Sequence, residues 1–97
     1  MKRAYWIVRG DVADAEAFTQ YTSRTPAALA KFGGQFLVRA GQFEAVEGPT
    51  RSRHTLIEFP SYEQALACWN SPEYQEARSH RLDAAEVDIV IVEGVDR

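Results

Sequence analysis

Three residues in the middle of the chain carry side chains able to do acid–base or anion chemistry. Arg39 lies near the end of the run QFLVRA, and His54 and Glu58 stand four apart in RHTLIEFP. A guanidinium can grip a carboxylate through two parallel hydrogen bonds. A carboxylate or an imidazole can take up and return a proton. Glu58 stands out because it interrupts the apolar series Leu56, Ile57 and Phe59, where a strand at a sheet centre should be apolar throughout. Tyr5, Trp6, Trp69 and Tyr74 could line an aromatic pocket for a planar substrate, or simply form core and subunit contacts. Tyr74 also follows a capped helix start, where its hydroxyl could address a ligand.

Period and punctuation give the elements that must position these groups. RAYWIVRG (3–10) mixes aromatic and β-branched residues and stops at Gly10, the pattern of a strand. Asp14 then caps a helix, Glu16 complements its dipole, and Phe18, Tyr21, Leu29 and Phe32 share one broad face. Pro26 breaks that face and predicts a restart with Thr25 as cap, before Gly33 and Gly34 end the helix. QFLVRA (35–40) reads as a second strand, continued by QFEAVEG (42–48) after a bulge at Gly41, with a turn at GPT (48–50). RHTLIEFP (53–60) returns as the third strand. Ser61 and Gln64 form a capping box for a helix carrying Tyr62, Leu66 and Trp69. Ser71, Pro72 and Glu73 restart that helix, which is expected to run through QEARSHRLDAA, and VDIVIVEG (87–94) is the last strand.

The order is β-α-β-β-α-β, the ferredoxin-like split unit of the α+β class, in a single domain spanning 1–97. Its two helical segments cover one face of a four-stranded antiparallel sheet, and the other face should then be polar. It is not. Trp6 and Val8 alternate with Tyr5 and Ile7, and Ile89 and Ile91 alternate with Val90 and Val92, so both faces are apolar. The chain is therefore expected to pair with a second copy, sheet against sheet. Strand phase places Arg39, His54 and Glu58 on that inter-sheet side, and a residue absorbed at Gly41 would bring Arg39 close to Glu58. The pair has two readings. Arg39 holds an acidic ligand while Glu58, with His54 as a further base, moves a proton; or the pair is a buried salt bridge that sets hairpin register.

Charge and composition narrow the partners. A net charge of −3 with scattered arginines leaves no basic excess for nucleic acid. No apolar run approaches the ~20 residues that span a bilayer, and MKRAYWIVRGDV lacks the apolar stretch of a signal peptide. A lone Cys68 excludes an intramolecular disulfide and fits a reducing cytoplasm. His54, His80 and Cys68 lack metal-ligand spacing, so no metal or cofactor is expected.

Four segments, YWIVRGDV near the start, FGGQFLVRAG (32–41), IEFPSYEQALACWNSPEYQEAR (57–78) and VIVEGV (90–95), resemble the family called domain of unknown function 1330 along almost the whole length. The resemblance implies a dimeric α/β barrel, two ferredoxin-like units joining their sheets around a shared interior. Similar barrels include cofactor-free monooxygenases of aromatic polyketides, muconolactone isomerases and haem-binding relatives, but no catalytic motif of those groups matches residue by residue, and fold alone transfers no chemistry. The expected function is a cytoplasmic homodimer with a small-molecule pocket, a cofactor-independent enzyme on an organic acid or aromatic compound. The competing expectation is a non-enzymatic binding or interaction module whose Arg39–Glu58 pair is architectural.

Overall fold

The computed structural model of the chain describes residues 1–96. The strands are β1 (Lys2–Val12), β2 (Gln35–Arg39), β3 (Arg53–Phe59) and β4 (Ala85–Asp96), and the helices are α1 (Ala15–Thr22), α2 (Thr25–Lys31), α3 (Tyr62–Trp69) and α4 (Pro72–Ser79). The sheet order is β2-β3-β1-β4 with every neighbour antiparallel, the ferredoxin-like arrangement. Each helical segment breaks where Pro26 or Pro72 was expected to restart it. Asp14, Ser61 and Ser71 accept from the backbone N–H of Ala17, Gln64 and Tyr74, as their positions predicted. Thr25 differs: it is the first residue of α2, and its hydroxyl donates back to the Thr22 carbonyl instead of capping. The last helix also stops early, and a turn after Ser79 delivers the chain to β4 two residues sooner than expected.

The core lies between the sheet and the helices. Ala4, Trp6, Ile57 and Phe59 from the strands meet Ala28, Leu29, Ala65, Cys68 and Tyr74 from the helices. Trp6 is the centre of this layer. Its Nε1 donates to the Ala65 carbonyl at 3.1 Å, and its ring meets Tyr74 edge-on at 4.8 Å and Phe59 at 5.3 Å.

One expectation fails at the β2–β3 pairing. Phe36 stands opposite Ile57, but Val38 stands opposite Leu56 and Arg39 opposite Thr55, so Leu37 is the extra residue. The bulge thus precedes Arg39 instead of following it at Gly41. A single inserted residue turns every later side chain to the other face. Arg39 consequently joins Thr55 on the helix side, while Glu58 stands opposite Gln35 and Tyr5 on the outer side. The Arg39–Glu58 pair does not form. Nor does QFEAVEG extend the strand: Ala40 takes a left-handed conformation (φ 52°), turns the chain away from the sheet, and residues 40–52 form a loop without regular structure.

The outer side of the sheet carries the apolar row Val38, Leu56, Ile7 and Val90 across all four strands. Ile7 and Val38 are 41% exposed and Val90 is 57% exposed, so no element of the described chain covers this row. Among the described residues, no helix is long and apolar enough to cross a membrane.

Close packing under the α2–β2 turn makes a direct prediction. A Cβ on Gly34 would stand 2.9 Å from the buried Phe59 ring and 3.0 Å from the Leu29 carbonyl oxygen. Gly34→Ala is expected to cost about 1–3 kcal/mol in urea unfolding. A midpoint equal to that of the parent protein would contradict this packing.

Candidate functional site

Side-chain size falls along the helix-facing side of the sheet, and a cleft opens where it becomes too small to fill the layer. The first row, Phe36–Ile57–Trp6–Ile91, is bulky. The next, Arg39–Thr55–Val8–Ile89, is smaller at its centre. In the third, Gly10 between Arg53 and Val87 has no side chain at all. Above these rows stand Phe18, Tyr21 and Thr22 of α1, Thr25 and Leu29 of α2, and Tyr74 of α4. The cleft measures about 550 Å3 out to its open mouth. Its clear interior is about 40 Å3, space for a few waters at ~10–15 Å3 each.

Two guanidiniums guard the mouth. Arg39 lies over the Phe36 ring at 4.4 Å and donates from Nη2 to the Thr22 carbonyl at 3.4 Å. Arg53 lies over the Phe18 ring at 5.1 Å. Aromatic faces support both cations, yet among the described residues neither has a carboxylate within ion-pair distance. Burial first, and then the neighbouring Arg39 charge, pull the Arg53 pKa below its ordinary value. The two like charges face a space that holds no carboxylate among the described residues.

Deeper in, the phenols of Tyr21 and Tyr74 are 2.8 Å apart, and Arg81 donates from Nη2 to Tyr74 Oη at 3.4 Å. Tyr74 and Arg81 are buried, and the guanidinium lies over the Tyr21 ring at 5.0 Å. Burial, followed by the closeness of Tyr21, pushes the Tyr74 phenol well above its usual range.

The residues singled out from sequence divide between two places. Arg39 and Tyr74 line the cleft. Trp69 packs behind it, against Trp6 at 6.1 Å and Tyr74 at 5.4 Å, with Arg78 over its ring. Tyr5, His54 and Glu58 lie on the outer side of the sheet. There Glu58 accepts from Tyr5 Oη at 3.3 Å and faces Arg3 at 3.6 Å. His54 rests edge-on against Phe43 at 4.7 Å, its buried Nε2 without a partner among the described residues. The sequence reading missed Arg53, Tyr21 and Arg81 as site residues. Arg53 had a signal, being two positions before Thr55 and hence on the same strand face. Tyr21 was visible only as part of an apolar helix face. Arg81 had none, since it sits in a turn that the sequence assigns to the last helix.

The family model for a domain of unknown function (DUF1330) matches residues 3–95. The chain belongs to this family. Among curated proteins no sequence matches it. Among solved structures, the RPA0582 protein of unknown function from Rhodopseudomonas palustris superposes with a TM-score of 0.79 at 20% identity, over 98% of this chain and 84% of that one. SnoaB, a cofactor-independent oxygenase from Streptomyces nogalater, gives 0.66 at 12% identity over 100% and 97%. A dimeric protein of unknown function and ferredoxin-like fold from Bacteroides fragilis gives 0.62 at 16% over 94% and 95%. At these identities the likeness is one of fold.

The buried phenol has a measurable consequence at alkaline pH. Native Tyr74 keeps a proton that the unfolded chain releases around the ordinary value of 10.0. Its contribution to stability is therefore complete below that pH and is lost as pH rises beyond it. Absorbance at 295 nm is expected to show the Tyr74 step only together with unfolding, and Tyr74→Phe should remove that step. Ionisation of Tyr74 near pH 10 in the still-folded protein would contradict the geometry.

Proposed function

We propose that each protomer binds a small, flat organic acid in the helix-side cleft, with its carboxylate between Arg39 and Arg53. The observation that carries this reading is the pair of aromatic-supported guanidiniums, without an acid partner among the described residues, at the mouth of an aromatic-walled cleft in a chain of net charge −3. Removing two like charges partly from water is unfavourable unless an anion joins them, and a carboxylate there is held by charge-assisted hydrogen bonds. The clear interior of about 40 Å3 takes only the leading edge of a planar body, and the rest of it lies in the open mouth. SnoaB, a cofactor-independent oxygenase of the same fold, supports turnover as an extension of the binding reading.

The same proposal assigns the outer side of the sheet to a second copy of the chain. A row of aliphatic side chains left in water across four strands forfeits burial worth about 25 cal/mol per Å2. The dimeric Bacteroides fragilis protein of the same fold supports a pairing of this kind. In that assembly Glu58, Arg3 and Tyr5, and separately His54, belong to the inter-subunit interior, where they set the geometry of the pair or address a second ligand.

Trp6 lines the cleft and is one of two tryptophans, so a Trp69→Phe background leaves it as the sole indole reporter. In that background cinnamate is expected to quench Trp6 emission. Arg39→Ala and Arg53→Ala should each weaken binding about three- to tenfold, the smaller effect at the more exposed Arg39. Methyl cinnamate should bind the unaltered cleft with a similar deficit. Equal affinity for acid and ester would sink the carboxylate assignment.

Sedimentation gives the second check. The parent protein should run as a dimer at micromolar concentration, and Ile7→Glu combined with Val90→Glu should give a folded monomer with unchanged far-ultraviolet circular dichroism. A parent protein that is monomeric under those conditions removes the dimer from the proposal.

A further inference from the structure

The hydrogens of the Arg81–Tyr74–Tyr21 chain do not balance within the protein. Arg81 is 5% exposed and can only donate, through Nη2, to Tyr74 Oη. Tyr74 is fully buried, and among the described residues its hydroxyl has two neighbours within bonding distance, Arg81 Nη2 and Tyr21 Oη. Since the guanidinium accepts nothing, the hydrogen on Tyr74 has a single acceptor, the Tyr21 oxygen. The reverse orientation would leave a fully buried O–H without any acceptor, which costs its whole desolvation penalty. Tyr74 therefore donates to Tyr21. The hydrogen on Tyr21 is then left without an acceptor among the described residues, and Tyr21 is half-buried and lines the cleft.

The chain is also polarised in one direction. A cation with no carboxylate partner among the described residues stands at its buried end, and the Arg81 Nε has no partner at all among them. Each donor in such a series strengthens the next. The Tyr21 hydroxyl is thus a strengthened donor at the cleft wall.

We infer that Tyr21 is a second ligand-binding group, giving a polarised hydrogen bond to an acceptor oxygen on a ligand whose carboxylate stands between Arg39 and Arg53. This rests on the reading of the cleft as an acid-binding site and narrows the ligand class. The ligand is a flat acid with a second oxygen, of which an aryl keto acid is the simplest form. An acid without that second oxygen offers the Tyr21 hydrogen no acceptor where it covers the hydroxyl.

Two matched pairs of probes test the inference. 4-Oxo-4-phenylbutanoate against 4-phenylbutanoate keeps the carboxylate and varies the ketone; acetophenone against ethylbenzene varies the ketone with no carboxylate present. In the parent protein the ketone of each pair should bind about three- to tenfold more tightly, the range one net hydrogen bond supplies. The infrared carbonyl stretch of bound acetophenone should move to lower frequency. In Tyr21→Phe the preference should fall to about onefold and the stretch should return, while 4-phenylbutanoate, freed of the unpaired hydroxyl, binds at least as tightly as in the parent protein. If Tyr21→Phe does not fold because the Tyr74 hydrogen is orphaned, the double variant Tyr21→Phe with Tyr74→Phe carries the same readout. A ketone preference that is absent, or that survives in these variants, overturns the role of Tyr21. A preference within the neutral pair, with both acids failing to bind, overturns the Arg39–Arg53 reading and leaves Tyr21 standing; binding of none of the four probes overturns both.

Discussion

The indole of Trp6 sets the distance between the helix layer and the sheet. Its nitrogen is tied to the Ala65 carbonyl on α3, and its ring is wedged against Phe59 below and Tyr74 above. A side chain of that size, 1% exposed and held on three sides, acts as a spacer. Further along the same strand the residues are Val8 and Gly10, which cannot span the gap that Trp6 holds open. The cleft is therefore a consequence of packing. Interiors are dense and side chains do not stretch to fill a mismatch in layer spacing. Gly10 is also kept small from below, because a Cβ there would stand 3.0 Å from the Glu86 carbonyl oxygen.

The bulge at Leu37 determines which charges meet that cleft. Had β2 and β3 paired without an inserted residue, Arg39 would face outward beside the apolar row and the mouth would hold Arg53 alone. With the insertion, Arg39 and Arg53 approach the same opening from adjacent strands, each resting on an aromatic ring. The cost is electrostatic: like charges share a partly enclosed space, and burial together with Arg39 already lowers the pKa of Arg53. Arg51 is held differently. Arg51 contacts Asp11, Glu86 and Asp88 together, tying the end of the 40–52 loop to β1 and β4. Arg39 and Arg53 differ from Arg51 in having only aromatic rings and a backbone carbonyl beside them, and in the proposed reading the ligand's carboxylate joins them.

The two faces of the sheet thus do different work in the proposed reading. The helix side holds a cleft with cationic and phenolic groups and no carboxylate. The outer side carries a hydrocarbon row, flanked by Glu58 with Tyr5 and Arg3 near one end and by His54 nearer the other. Strand alternation keeps the two sets apart, because neighbours in sequence point to opposite sides.

Much of the fold was written locally. The Gly33–Gly34 pair and Pro60 delimit strands and turns, while Asp14, Ser61 and Ser71 cap helices, each acting on residues a few positions away; Gly10 does not end β1, which stays paired with β4 as far as Val12. Alternation in WIV and DIVIV likewise announced two apolar faces before any topology was known. These features depend on short-range sterics and hydrogen bonding, which one sequence displays. The site was legible only in part. Arg39 and Tyr74 were singled out and both line the cleft, but Arg39 was placed on the wrong side, because the position of a bulge depends on which cross-strand packing is better and Leu37 carries no mark of it. The burial of Arg81 and the Tyr21–Tyr74 contact join residues far apart in the chain, 53 positions in the case of the two phenols. Only the packing of α1 against α4 brings them together, and long-range contact of that kind has no local signature.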